Sequence, residues 1–177
     1  MTRLLLLLTT LTLLGCPRSE LGERLFEINY PGINFIIPAG QASFQTFVVA
    51  DPAMVTNFMA NLDDSGFTEK DVDNVSGLRA RVTSLSGEDF REIERMELRV
   101  CPTDEPGCTL IDIMFSVDDL RGRRQAAVNL SPGLRNFKPL FLSEEVVRME
   151  LVIFPAAVTS QTIEARLDWA IRAVGGL

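Results

Sequence analysis

The sequence predicts a mainly β domain, an antiparallel β-sandwich of about eight to nine strands with one short α-helix over 52–62. Three observations carry this. Apolar and polar residues alternate with period two along most of the chain. Turn-forming pairs interrupt the runs at Pro31-Gly32, Pro38-Ala39-Gly40, Ser86-Gly87, Pro106-Gly107, Arg121-Gly122 and Pro132-Gly133. At 177 residues, 46% of them hydrophobic, the chain suffices for one domain with its own core and is short for two.

The elements follow in order. Strands are expected at Leu25–Tyr30, Ile33–Ile37 and Ser43–Val49. A helix comes next, with Asp51 as N-cap, Pro52 as first residue, and Val55, Phe58, Met59 and Leu62 on one face. Leu78, Ala80 and Val82 then face one way, with Arg79, Arg81 and Thr83 the other. Phe90 and Ile93 suggest a helical turn after Gly87. Met96, Leu98 and Val100 alternate with charged neighbours, and Ile111, Ile113, Phe115 and Val117 alternate with Asp112, Met114, Ser116 and Asp118. A strand at Gln125–Leu130 and a short helical piece near Leu140–Glu145 precede the alternation of Met149, Leu151 and Ile153. Over 162–174 two readings compete. Alternation from Ile163 to Ala173 reads as a strand, whereas Ile163, Leu167, Ala170, Ile171 and Val174 also form a helical stripe; the alternation and the β context favour the strand.

Composition excludes several chemistries. There is no histidine, so no imidazole-based triad, no His-ligated zinc and no imidazole pH switch. Lys plus Arg is 17 against 24 for Asp plus Glu, a net charge of −7, which argues against nucleic acid as a partner.

The N-terminus reads as an address. A basic start, Met1-Thr2-Arg3, leads into an apolar run from Leu4 to Leu14, whose eleven residues would span about 16 Å as a helix. That is half of a bilayer core of about 30 Å, so the run fits a signal peptide and not a membrane span. Leu13-Leu14-Gly15-Cys16 resembles the lipobox of bacterial lipoproteins. The resemblance implies a signal peptide at 1–15, cleavage after Gly15, acylation of Cys16 (palmitate or a related chain), a lipidated cysteine and short tether over 16–23, the tether being Pro17 to Glu23, and a single domain over 24–177. It also implies a location in the bacterial cell envelope, on the outer membrane or the periplasmic face of a membrane. Seven extended tether residues reach at most about 25 Å, which keeps the domain close to its membrane.

The cysteines fit that compartment. With Cys16 lipidated, Cys101 and Cys108 form an even pair around a turn-forming string, and a structural disulfide is expected. No other cofactor than the covalent lipid is expected. For metal, a loose calcium loop at Asp71, Asp73 and Asn74 is the candidate; the position twelve from Asp71 is Val82, which excludes an EF-hand. Acid pairs such as Asp63/Asp64, Glu88/Asp89, Asp118/Asp119 and Glu144/Glu145 read as caps and turns. Arg121, Arg123 and Arg124 form the dense basic cluster and are the candidate anion contact.

The expected function is that of a membrane-anchored, non-catalytic binding or structural module. It would contact another envelope protein or a glycan through loops or an exposed sheet edge. The alternative is a histidine-free hydrolase using carboxylates or a bound metal. The body is similar to immunoglobulin-like β-sandwich lipoproteins in strand count and rhythm.

Overall fold

A computed structural model of the chain describes residues 22–176. The signal peptide, Cys16 and most of the tether lie outside the described residues. Eight strands make one antiparallel sheet: β1 (Glu23–Ile37), β2 (Phe47–Val55), β3 (Asn74–Ser84), β4 (Ile93–Pro102), β5 (Ile113–Val117), β6 (Ala127–Pro132), β7 (Val146–Pro155) and β8 (Ile163–Gly175). Two short helices accompany them, α1 (Phe58–Asp64) and α2 (Lys138–Ser143).

The strand order is β1-β8-β3-β6-β5-β4-β7-β2. It has a simple origin. The chain doubles back on itself, pairing β1 with β8, β2 with β7, β3 with β6 and β4 with β5. This long ribbon then wraps, adding the β3–β8, β4–β7 and β5–β6 contacts. The result is the double Greek-key connectivity of a jelly roll. The mainly β class and the strand count agree with the sequence reading. The immunoglobulin-like order does not: that fold keeps its first and last strands apart, whereas here β1 pairs with β8 along nearly its whole length. Period-two patterning dictates that strands form, and it is blind to which strands meet.

The wall folds into two halves, β1-β8-β3-β6 and β5-β4-β7-β2, joined by only the two residue pairs Phe115–Pro132 and Ser116–Ser131. Between the halves lies one apolar core. Leu98, Phe115, Leu151, Ile153, Leu167 and Trp169 fill it, and Phe58, Phe137 and Phe141 bring the helices onto it. The 162–174 segment is strand, as the alternation favours. Pairing on both sides, to β1 and to β3, outweighs the local helix propensity of its Ala, Arg and Leu residues.

Five local expectations need correction. The strands expected at Leu25–Tyr30 and Ile33–Ile37 are one strand, β1, because Pro31-Gly32 makes a bulge against β8 and not a turn. Residues 52–55 are strand, because Met54 and Val55 pair with Val147 and Val146 of β7; Asp51 caps no helix and accepts the Ala53 N–H at 3.2 Å within a strand irregularity. The helix starts only after Asn57, whose φ of 52° breaks the strand. Phe90 and Ile93 form one hydrogen-bonded turn and no helix, as Phe90 N–H is drawn to Gln125 O at 3.0 Å. Ser43 lies in the loop before β2. Finally, Ile111 is 75% exposed and Asp112 buried, opposite to the alternation, because the Thr109 and Arg135 side chains hold the Asp112 carboxylate inside.

Register sets the two ends of the molecule. At one end lie the start of β1, the end of β8, α1, α2 and the loops 103–112 and 133–137. At the other lie the loops 38–46, 85–92, 118–126 and 156–162.

Candidate functional site

The outer face of the β1-β8-β3-β6 half holds a cavity of about 660 Å³. Alternation builds it. Tyr30, Trp169, Ala80 and Leu130 are cross-strand neighbours that point into the core. Their sequence neighbours Asn29, Asp168, Arg79, Arg81 and Asn129 therefore point outward, and all five line the cavity.

Two cross-strand rows define its chemistry. In the first, Asn29, Ala170 and Arg79 are neighbours across three strands. Arg79 Nη2 donates to Asn29 Oδ1 at 2.7 Å, and Ala170, the small residue between them, is fully buried. In the second, Arg81 lies between Asp168 and Asn129. Asp168 is already paired, accepting from Arg166 Nε at 2.9 Å. Among the described residues no carboxylate lies within ion-pair distance of Arg79 or Arg81. The groove thus presents two unneutralised guanidinium groups and two amides on a protein whose net charge is −7. Such a donor set fits carboxylate, sulfate or phosphate groups, because guanidinium forks bind oxyanions bidentately.

A second opening lies at the seam between the outermost strands. β1 shifts register between Tyr30 and Ile33, and β2 between Asp51 and Met54. Each irregularity contains a proline, Pro31 and Pro52, which cannot donate to a ladder and discourages further strand pairing. Between them lies a slot of about 320 Å³, lined by apolar Ile28, Ile33, Met54 and Val55 with Asp51 and Asn57 beside them. Tyr30 stacks on Trp169 with ring centroids 4.2 Å apart, and its phenol donates to Thr56 O at 3.0 Å. Burial pushes the Tyr30 phenol well above its usual value.

The residues singled out by sequence fall elsewhere. Cys101 and Cys108 are bonded, with Cα atoms 5.4 Å apart. Asp71 is turned onto Thr68, accepting from its N–H and hydroxyl at 2.7 Å each, and these bonds hold its carboxyl below the usual value. Asp73 N–H donates to Val174 O, and Asn74 opens β3. Arg123 pairs with Asp119 at 2.7 Å in the 118–126 loop, which also carries Arg121 and Arg124; the three line neither cavity. Among the described residues the three acid or thiol groups that converge are Cys101, Glu105 and Asp112. They fit no metal, since Cys101 is in the disulfide and Asp112 is held by Thr109 and Arg135. The outward direction of Arg79 and Arg81 is readable from alternation. That Asn29 and Asn129 stand beside them is not, because this follows from the wrapped strand order.

No protein-family model and no curated protein matches the chain. Among solved structures, a chain of Cocksfoot mottle virus aligns at 11% identity over 85% of this chain and 85% of its own, with a TM-score of 0.28. A chain of the Israeli acute paralysis virus particle aligns at 11% identity over 86% of this chain and 75% of its own, with a TM-score of 0.29.

Proposed function

We propose that the protein is a lipid-anchored, non-catalytic module of the bacterial envelope that binds an acid-bearing glycan along the β1-β8-β3-β6 face. The observation that carries this reading is the pair Arg79 and Arg81, both without a described acid partner in a groove of about 660 Å³. Asn29 and Asn129 add amide donors and acceptors suited to sugar hydroxyls. The groove offers no acid pair for hydrolysis: Asp168 is engaged by Arg166. The carboxyls held below their usual values, Asp71, Glu92 and Asp112, sit in caps and turns with Thr68, Ser160 and Thr109.

Titration of the purified chain with polygalacturonate, against uncharged amylose, tests the reading. Salt-sensitive binding to the polyuronate alone is expected, and it should fall at least tenfold in an Arg79→Ala/Arg81→Ala variant with unchanged melting. Equal binding of amylose, or binding indifferent to both substitutions, would overturn it. A second reading, contact with another envelope protein, draws on the apolar slot beside Tyr30, whose size suits one inserted apolar side chain. A photo-crosslinker at Val55 that yields the same adduct as one at Ile36, on the outer face of β1, would remove that reading.

A further inference from the structure

Three large apolar side chains are exposed together at the end where the chain enters the domain: Leu110, 68% exposed, Ile111, 75%, and Leu134, 104%. They are one patch. The 133–135 segment lies against the 111–114 segment, through Gly133 N–H to Met114 O at 2.8 Å and Arg135 Nη1 to Ile111 O at 2.7 Å. Nothing in the local fold requires them there, since the turn is held by Thr109, Asp112 and Arg135 instead. A soluble surface tolerates single exposed apolar residues and selects against a cluster at a loop tip.

We infer that this patch dips into the lipid surface beside the anchor. The inference rests on acylation of Cys16. Its geometry comes from the register, which puts the start of β1 and the loops carrying Leu110, Ile111 and Leu134 at the same end of the sheet. Three strand spacings separate β1 from β6, about 14 Å across the half-sheet. Six residues stand between Cys16 and Glu23, so the start of β1 lies at most about 25 Å from the anchor, which lets the patch touch the bilayer that holds the lipid. The Arg135 charge is matched by Asp112, and the Glu105 carboxylate, within 4.8 Å of Asp112, is an acid that the contact must leave in the aqueous headgroup layer. With two contacts, the lipid and the patch, the domain stands upright, and the 38–46, 85–92, 118–126 and 156–162 loops face away from the membrane.

The full chain, purified from membranes and reconstituted in phosphatidylethanolamine–phosphatidylglycerol vesicles, gives the test. Trp169, the only tryptophan, is 2% exposed and serves as an internal unquenched reference. Tryptophan is introduced singly as Ile111→Trp, Leu134→Trp and, at the far end, Val158→Trp. Bromolipids should quench the added emission at 111 and 134 about twofold or more and leave 158 unquenched. Equal behaviour at all three sites, in a chain bearing fatty acid on Cys16, overturns the membrane contact while the anchor stands. A chain without fatty acid on Cys16 removes the anchor and this inference with it. A blue shift at 111 and 134 that needs no vesicles and grows with protein concentration would assign the patch to a second copy instead, and would also overturn it.

Discussion

Arg79 Nη2 donates to Asn29 Oδ1 at 2.7 Å across Ala170, joining β3 to β1 over the top of β8. The bond is between a cation and a neutral amide, so it positions the guanidinium without discharging it. A carboxylate at the same place would do both. Asn29→Asp should therefore keep the fold and melting temperature while weakening polyuronate binding by roughly tenfold or more, the loss of one charge-assisted contact. Unchanged affinity in that variant would mean that Arg79 does not meet the ligand.

The packing makes a sharper demand at Gly77. A Cβ built there would stand 2.4 Å from Phe115 Cζ, and Phe115 is fully buried in the core. Gly77→Ala should destabilise the domain by about 1–3 kcal/mol in urea unfolding, since the ring must leave its place or the strand must shift. Phe115→Leu in the same chain should recover part of that loss. If the double variant is no more stable than Gly77→Ala, the contact is not the cause.

Both residues illustrate what a sequence of this kind conveys. The alternation of Ala80 and Val82 with Arg79 and Arg81 places two cations outside, and the alternation from Ile163 to Ala173 places β8. Pairing partners are non-local: β1 meets β8 across more than a hundred residues, so Asn29 could not be assigned to Arg79, nor Phe115 to Gly77, from local pattern. The same applies to the helix. Val55, Phe58, Met59 and Leu62 do have helical spacing, but β7 claims the first of them for a strand. Asp112 and Ile111 exchange inside for outside because hydrogen bonds to one carboxylate outweigh the hydrophobic preference of one isoleucine.

Asp112 also sets an acid limit on stability. Burial opposes its charge, yet the Thr109 hydroxyl and N–H and the Arg135 guanidinium outweigh burial, and its carboxyl stays below the ordinary 3.8. A group depressed in the folded state adds stability above its unfolded value and loses it as pH falls through the folded one. Glu92 and Asp71 are shifted in the same direction. Unfolding free energy should be flat from about pH 7 to 5 and fall steadily below pH 4. Asp112→Asn should cost about 1–2 kcal/mol at pH 7 and give a shallower acid decline. A decline of the same depth in that variant would assign the acid sensitivity to other carboxylates.

The loop end that carries the disulfide is also held by side-chain hydrogen bonds. Cys101 and Cys108 close a loop whose entropic contribution is about 2–3 kcal/mol in the chain-entropy account, and Pro102 and Pro106 reduce this by stiffening the unfolded loop. Glu150 Oε2 accepts the Cys108 N–H at 3.2 Å, and Arg99 Nη1 donates to Cys108 O at 3.3 Å. The loop end is thus pinned to β4 and β7 by these hydrogen bonds as well as by the sulfur bond. Cys101→Ser/Cys108→Ser should lower stability by less than about 2–3 kcal/mol and leave the domain folded at 25 °C. Glu150→Gln should cost more in the disulfide-free chain than in the oxidised one, because the Glu150 contact must then hold the loop without the covalent closure. Strictly additive losses in urea unfolding, measured as a double-mutant cycle, would show that the sulfur bond and the Glu150 contact hold the loop independently. Thiol titration of the unreduced domain lacking Cys16 should find no free cysteine; two free thiols would place the loop in a reducing compartment and count against the envelope location as well.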